Sequence, residues 1–289
     1  MPMTTDTSKL IDGKAVAAKV LERCAAKVEK IKQATGKTPC LATVLVGDDP
    51  ASETYVRMKG KRCEAVGMQS LRVEMPADTT TEQLLEKMNQ LAIDAAVNGI
   101  LLQHPVPSQI DERAAFEAIP VSKDVDGVTA GGLGEMWLGI ERFGSCTPAG
   151  IMTLLREYNV KLEGLEACVI GRSPILGKPM AAMLCNANAT VTICHSRTKD
   201  LGDVVRRADL IVAAVGRPNF VKGDWVKEGA IVIDAGYNPG NVGDVDFAAA
   251  EPRASLITPV PGGVGPMTIA TLIDQTADAA AEQFGVSLD

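Results

Sequence analysis

Little in this chain suits an oxidising compartment, a membrane or a nucleic acid. Its seven cysteines, an odd number, stand singly from Cys24 to Cys194 with no Cys-x-x-Cys pair. Neither a disulfide framework nor a zinc knuckle is therefore expected, and a reducing cytoplasm is the expected location. The two histidines, His104 and His195, are too few for a histidine-rich metal site, so no metal is expected. Apolar runs such as Ile211 to Val215 fall far short of the roughly 20 residues that span a bilayer, and Met1 to Asp12 is polar rather than signal-like, so no membrane anchor is expected. Aromatic residues make up 3%, which leaves few platforms for stacking single strands. The net charge of −7 lacks the basic face that phosphate neutralisation requires, which argues against nucleic acid.

What is present, 46% hydrophobic and 22% charged residues over 289 positions, suits about two globular domains. Val16, Val20, Cys24, Val28 and Ile31 recur at helical spacing and predict an amphipathic helix over Gly13 to Ala34. A buried strand follows over Cys40 to Val46, closed by the turn residues Gly47-Asp48-Asp49-Pro50. A helix over Ser52 to Val66 is capped by Gly67. Leu71, Val73 and Met75 alternate as a strand, Thr81 to Val97 is helical, and Gly99 to Gln103 is a third strand. That strand cannot continue through His104-Pro105-Val106-Pro107, because each proline lacks a donor. A short helix is expected over Asp111 to Ile119, then a polar loop, Lys123 to Gly127. Gly131 to Gly144 has no clear period. Thr147-Pro148 reads as an N-cap and first helical position, opening a linker helix over Pro148 to Tyr158. A second series follows: strand Ala167 to Gly171, a helix from Gly177, strand Thr190 to Cys194, a helix near Leu201 to Arg206, and strands Leu210 to Val215 and Ala230 to Asp234. A proline- and glycine-rich run, Thr258 to Pro266, leads into a last helix from Met267 to about Phe284. Strands separated by helices imply an α/β fold with parallel pairing.

Cys168 to Pro179 is an apolar strand entering a turn and then a helix. Such a unit aims backbone N–H groups and the positive end of the helix dipole at a pyrophosphate. Ser173 stands where a second glycine is usual, so spacing alone leaves an ordinary crossover turn equally open. After the next strand, where NAD-specific proteins place an acid, stands His195-Ser196-Arg197; with Arg172 these residues suit a 2′-phosphate, or they are surface residues. Tyr55 and Lys59 are four apart and share one helix face. Either they are a half-buried Tyr and a solvated Lys, or Lys59 is a partly desolvated acid/base. Gln103, at a strand's carboxyl end, is either an orienter of Lys59 or a substrate carbonyl, or an amide tied to backbone. Asp126 and Asp124 each offer an acceptor for paired N–H donors, and each has the alternative of stabilising its own loop.

Taken in order, Tyr55-Val56-Arg57-Met58-Lys59, Gly99 to Gln103, Lys123 to Gly127, Gly171-Arg172-Ser173 through Gly177-Lys178-Pro179, Cys194-His195-Ser196, Gly243-Asp244-Val245 and Pro259 to Thr268 resemble the bifunctional methylenetetrahydrofolate dehydrogenase/cyclohydrolase family. The resemblance implies a three-layer-like α/β catalytic domain over residues 1–147, completed by the C-terminal helix 267–289. It also implies a Rossmann-like NADP-binding domain over 148–266, a folate cleft between the two, and a homodimer. It implies that NADP oxidises 5,10-methylenetetrahydrofolate and that the methenyl product is hydrolysed to 10-formyltetrahydrofolate. Lys59 would be the acid/base, Gln103 its orienter, Tyr55 a stacking partner and Asp126 the pterin anchor. Pro261, Gly262, Gly263 and Val264 would wall the substrate pocket. The cofactor would meet Gly171, Arg172, Ser173, Ile175, Gly177, His195, Ser196, Arg197, Gly216 and Tyr237. The chain departs from the family pattern at His104, Tyr237 and Val128 to Met136. A dehydrogenase without cyclohydrolase activity and a nucleotide-sensing module are the competing readings.

Overall fold

The computed structural model describes residues 7–140 and 142–288. Parts of four expectations lie outside the described residues: 1–6 of the polar N-terminus, 1–6 and 141 of the first domain, 141 of the glycine-rich segment, and 289 of the last helix's span. The chain forms two compact units. One comprises Ala18–Glu135, Glu141–Gly144 and Ile269–Asp289, the other Met1–Ala17, Met136–Ile140 and Ser145–Thr268.

The first of these is built on α1 (Gly13–Thr35), β1 (Cys40–Val46), α2 (Pro50–Ala65), β2 (Gln69–Met75), α3 (Thr81–Ile93), β3 (Gly99–Leu102), α4 (Glu112–Glu117) and α5 (Ala130–Trp137). Its sheet is parallel, in the order β2-β1-β3. The central strand β1 is buried at every position, and its sequence is apolar but for Thr43. The edge strand β2 alternates instead. Helix α2 begins at Pro50, two residues before the expected start, because Asp49 accepts from Ser52 N and Pro50 takes the first position, where no N–H is needed. Helix α3 ends at Ile93 rather than Val97; the Asp94 carboxylate accepts from Ala96 N, and the Lys123 ammonium donates to the carbonyls of Leu91 and Asp94. Helix α5 was not expected from so many glycines. Its start is held from outside by Thr129 Oγ1, which accepts from Gly132 N, and by the Glu117 carboxylate, which accepts from Ala130 N.

In the other unit α6 (Cys146–Glu157) leads to β4 (Glu166–Ile170), α7 (Gly177–Asn186), β5 (Thr190–Cys194), α8 (Leu201–Val205), β6 (Leu210–Ala213), β7 (Ile231–Asp234), α9 (Phe247–Ala250) and β8 (Leu256–Ile257); α10 (Val264–Phe284) starts in this unit and from Ile269 onward belongs to the first. The five strands are parallel, in the order β5-β4-β6-β7-β8. Successive strands thus run outward from β4 to β5, then return to β4's other side as β6. That reversal makes the carboxyl ends of β4 and β6 a topological switch point, where open α/β sheets gather ligands.

The expected cap of α6 is corrected. The helix starts at Cys146 with Ser145 in the cap position, and Thr147 Oγ1 pairs with Thr268 Oγ1 at 2.9 Å. Pro148 is then the third helical residue, still within the turn whose N–H groups have no intrahelical partner. Helix α10 likewise starts at Val264, before Met267, and carries Pro266 in its first turn. The short elements α9 and β8 were not expected.

Candidate functional site

Lys59 projects from α2, which follows β1, and Gln103 stands directly after β3, the neighbour of β1. Gln103 N donates to Val44 O at 2.8 Å, so the residue is still tied to the sheet. Lys59 Nζ donates to Gln103 Oε1 at 2.9 Å, while Gln103 Nε2 donates to His104 O at 2.8 Å. Backbone thus fixes one end of the Gln103 amide, and the other end holds Lys59. The two bonds also assign which end is oxygen, since Lys59 can only donate. Both side chains are half-buried, and Tyr55, one helical turn before Lys59, is 44% exposed. The ammonium or amine of Lys59 is thus pinned beside solvent-accessible space, as a group that passes protons to a small substrate must be.

The loop between α4 and α5 separates its two acids. Asp124 is 2% exposed; its Oδ1 accepts from Val128 N at 3.0 Å and its Oδ2 from Thr129 N at 2.9 Å. It braces its own turn. Asp126 is half-buried. Lys123, whose pKa is lowered by burial, ties the same loop to the end of α3. A capping lysine and a bracing aspartate thus hold the segment that presents Asp126. Lys123 was absent from the sequence-based list of candidates, and an isolated basic residue in a polar loop carries no signal for that role.

At the other unit's switch point, Gly171 has φ +130°, and a Cβ there would lie 2.2 Å from Ala214 O. A Cβ on Gly177 would lie 2.2 Å from Gly171 O. Both ends of the turn must be glycine because backbone packs on backbone. Ser173 Oγ accepts from Leu176 N at 3.2 Å and from Gly177 N at 3.4 Å. Its hydroxyl, a neutral group on an exposed residue, thus covers the first amides of α7. Arg172 is exposed and Ile175 half-buried. After β5, His195 N donates to Thr198 Oγ1, and Arg197 N donates to His195 Nδ1 at 3.2 Å, which puts the ring proton on Nε2. Ser196 and Arg197 are exposed, one strand away from Arg172. Thr198, which shapes this turn, was not among the candidates.

Gly216 follows β6 with φ +65°. Tyr237 is 61% exposed, and its hydroxyl donates to Asn241 Oδ1 at 2.6 Å. Pro261, Gly262, Gly263 and Val264 belong to this same unit. Gly262 has φ +105°, and Gly263 O approaches Gly13 so closely that a Cβ there would come within 1.7 Å of it. The structure therefore brings together Lys59 and Gln103 in one unit, and the turns of 171–177 and 214–216 in the other.

Two buried carboxylates beside the switch point also escaped the list. Asp234, at the end of β7, accepts from the N–H groups of Gly236, Asp244 and Val245, each at 2.9 Å. Burial pushes its carboxyl up to about 6 in spite of those donors. Asp244 is fully buried and accepts from Val215 N, Gly216 N and Arg217 N. Asp244 stood in the Gly243-Asp244-Val245 piece of the family resemblance, with no role attached to it, and Asp234 only at the end of an expected strand.

Among the described residues no group of three or more His, Cys, Asp or Glu is placed to hold a metal, and no helix is long and apolar enough to cross a membrane.

Comparison with known proteins gives matches along nearly the whole chain. The model of the tetrahydrofolate dehydrogenase/cyclohydrolase catalytic domain matches residues 11–126, and that of the NAD(P)-binding domain of the same name matches 145–284. A Saccharophagus degradans protein described as bifunctional protein FolD is 61% identical over 276 residues, covering 96% of this chain and 99% of that one. The crystal structure of the bifunctional enzyme FolD, methylenetetrahydrofolate dehydrogenase/cyclohydrolase, from Campylobacter jejuni superposes with a TM-score of 0.92 at 48% identity, over 94% of this chain and 98% of that one. The Trypanosoma brucei enzyme, complexed with NADP and an inhibitor, gives a TM-score of 0.90 at 38% identity, over 94% and 97%. With both domain models matched in order and identity this high across both units, the chain belongs to the tetrahydrofolate dehydrogenase/cyclohydrolase family.

Proposed function

We infer that this chain oxidises 5,10-methylenetetrahydrofolate to the 5,10-methenyl form with NADP, then hydrolyses that product to 10-formyltetrahydrofolate. The observation that carries the reading is the Lys59 to Gln103 hydrogen bond at the carboxyl ends of adjacent strands. It is supported by the glycine-lined turn of 171–177 in a unit of the matching family. That turn would hold NADP, whose chemistry when bound would be that of a hydride acceptor.

The remaining steps fall to side chains of the chain itself. Tyr55 stacks on the folate, and the Asp126 carboxylate accepts from paired N–H donors of the pterin. Water adds to the methenyl carbon, Lys59 takes the proton that the water loses and returns it to the ring nitrogen as the bond between that nitrogen and the carbon breaks, and the remaining hydroxyl proton leaves to solvent as the formyl C=O forms. Gln103 keeps the Lys59 nitrogen aimed at that carbon, and Pro261 to Val264 line the substrate pocket. Gly171, Ser173, Ile175, Gly177 and Gly216 hold the dinucleotide's backbone with His195, and Tyr237 borders it. Arg172, Ser196 and Arg197 take the 2′-phosphate, because no acid stands after β5 to hold an unphosphorylated ribose. Residues 1–147 with 267–289 form the folate domain, and 148–266 the NADP domain. A homodimer in the cytoplasm completes the reading.

The test is spectrophotometric. Purified protein given the methylene substrate and NADP should form the methenyl chromophore and then remove it faster than buffer does. Folded protein that does neither overturns the reading.

A further inference from the structure

The loop after β6 is bound to its surroundings more heavily than a solvent-facing turn requires. Ala214 N donates to Ile170 O, which fastens the loop to the end of β4. The next three N–H groups converge on one carboxylate: Val215 N at 2.6 Å and Gly216 N at 2.9 Å reach Asp244 Oδ2, and Arg217 N reaches Oδ1 at 2.9 Å. Asn238 Nδ2 adds a fourth bond to Oδ1 at 3.1 Å. Successive N–H groups around a left-handed residue, here Gly216, form a concavity that binds anions. In this chain the anion is internal and wholly buried.

The carboxylate is itself held from below. Asp234 accepts from Asp244 N and Val245 N, and the backbones of 219–221 and 243–246 are laced together by Asn219 N to Gly243 O, Val221 N to Asp244 O and Asp246 N to Val221 O. The two carboxylates fit only because residues 236 and 243 are glycine. A Cβ on Gly236 would lie 2.2 Å from Asp244 Cγ, and one on Gly243 would lie 2.0 Å from Asp234 Oδ2. Buried charge is costly to keep, and here three of the four bonds to Asp244 come from the turn of Val215, Gly216 and Arg217, exposed at the last two, at the switch point. At the start of α7, by contrast, the N–H groups of Leu176 and Gly177 meet only the neutral hydroxyl of Ser173, which a phosphate can displace, while that of Lys178 meets the Ser173 carbonyl. The sheet thus has one anion-binding turn open to a ligand, after β4, and one filled from within, after β6.

We propose that Asp244 is a positioning residue for the cofactor: its carboxylate fills the N–H nest of residues 215–217 and so holds the β6 loop in the shape that receives the dinucleotide. Asp244 does not touch the ligand; it acts through Val215, Gly216 and Arg217. The proposal rests on the reading that this unit binds NADP.

In Asp244→Asn one acceptor oxygen becomes an NH2 group facing N–H donors, with little change of volume. Calorimetry on the full-length protein should show the Kd for NADP raised about tenfold, the effect of losing one charge-assisted bond. In the dehydrogenase assay the KM for NADP rises by the same factor, with kcat at saturation within about threefold. Val232→Ala, a cavity in the core of the same sheet, controls for stability: it lowers Tm but leaves Kd within about twofold. If Asp244→Asn fails to fold, Asn238→Ala takes its place, with an expected rise in Kd of about threefold. A Kd unchanged in whichever of these variants folds, or raised as much by Val232→Ala, overturns the proposal. Failure of the unaltered protein to bind NADP would instead overturn the functional reading on which it rests.

Discussion

Lys59 Nζ and Gln103 Oε1 meet at 2.9 Å across 44 residues of sequence, the lysine on a helix and the glutamine one residue beyond a strand. The bond exists because β1 and β3 are neighbours in a parallel sheet, with Leu41 opposite Gly99 and Val44 opposite Leu102. Anything attached at their carboxyl ends is thereby brought to one place. Lys59→Met keeps the length of the side chain and removes its proton-carrying nitrogen. Hydrolysis of the methenyl substrate should fall by about 10² or more, while calorimetry shows NADP bound as before. Undiminished hydrolysis would remove Lys59 from the mechanism.

Gln103→Glu tests the same contact by pH. A carboxylate in place of the amide oxygen favours the ammonium form and raises the pKa of Lys59. If the unprotonated amine is the working form, the pH at which hydrolysis reaches half its maximum moves upward by about one unit or more. An unmoved profile would mean that the hydrogen bond does not tune the lysine.

Arg172 is exposed at the start of the turn after β4, beside the strand that leads to Ser196 and Arg197. Loss of a charge-assisted bond of about 1.5–3 kcal/mol in Arg172→Ala should lower the ratio of NADP to NAD efficiency by roughly 10- to 150-fold. Steady-state assays with both cofactors measure it. An unchanged ratio would displace the 2′-phosphate from this residue.

Gly171→Ala and Gly177→Ala place a methyl group 2.2 Å from a carbonyl oxygen, of Ala214 and of Gly171 respectively. Neither neighbour is a flexible side chain, so the backbone must shift, at a cost of about 1–3 kcal/mol. Chemical denaturation should show that loss, with weaker NADP binding alongside. Gly134→Ala, where nothing lies within 4 Å and φ is ordinary for a helix, serves as the neutral comparison.

Burial raises the Asp234 carboxyl to about 6, against about 3.9 in an unfolded chain. The folded state therefore holds this proton more tightly. Its contribution to stability is complete below about pH 4 and is lost as pH rises through about 6. Carbon-detected NMR of the Asp234 carboxyl should titrate near 6. A midpoint at or below 4 would mean that its three N–H donors outweigh burial.

Much of the fold was legible because its signals are local. β1 and β5 fall on the predicted residues, since a nearly apolar run, Cys40 to Val46, and an alternating one, Thr190 to Cys194, need nothing from elsewhere to be recognised. Helix ends set by distant partners were not legible. The hydroxyl of Thr147, which resembles a cap, is engaged by Thr268, 121 residues away, and α5 depends on Glu117 and Thr129 to start a glycine-rich helix. The candidate residues divide in the same way. Tyr55 and Lys59 share a helix face by spacing alone, whereas Asp124 and Asp126 look interchangeable until two backbone amides are seen to occupy Asp124.

By itself the sequence determined an α/β chain with parallel strands, the helix face that carries Lys59, and a strand-turn-helix suited to a dinucleotide. These follow from periodicity and from residues that restrict their own backbone. Tertiary structure alone decided that β6 returns to the far side of β4, that Gln103 faces Lys59, and that Asp244 fills the turn of residues 215–217. Each of these depends on which strands become neighbours. Strand order is set by the packing of the whole sheet, and no short stretch of residues encodes it.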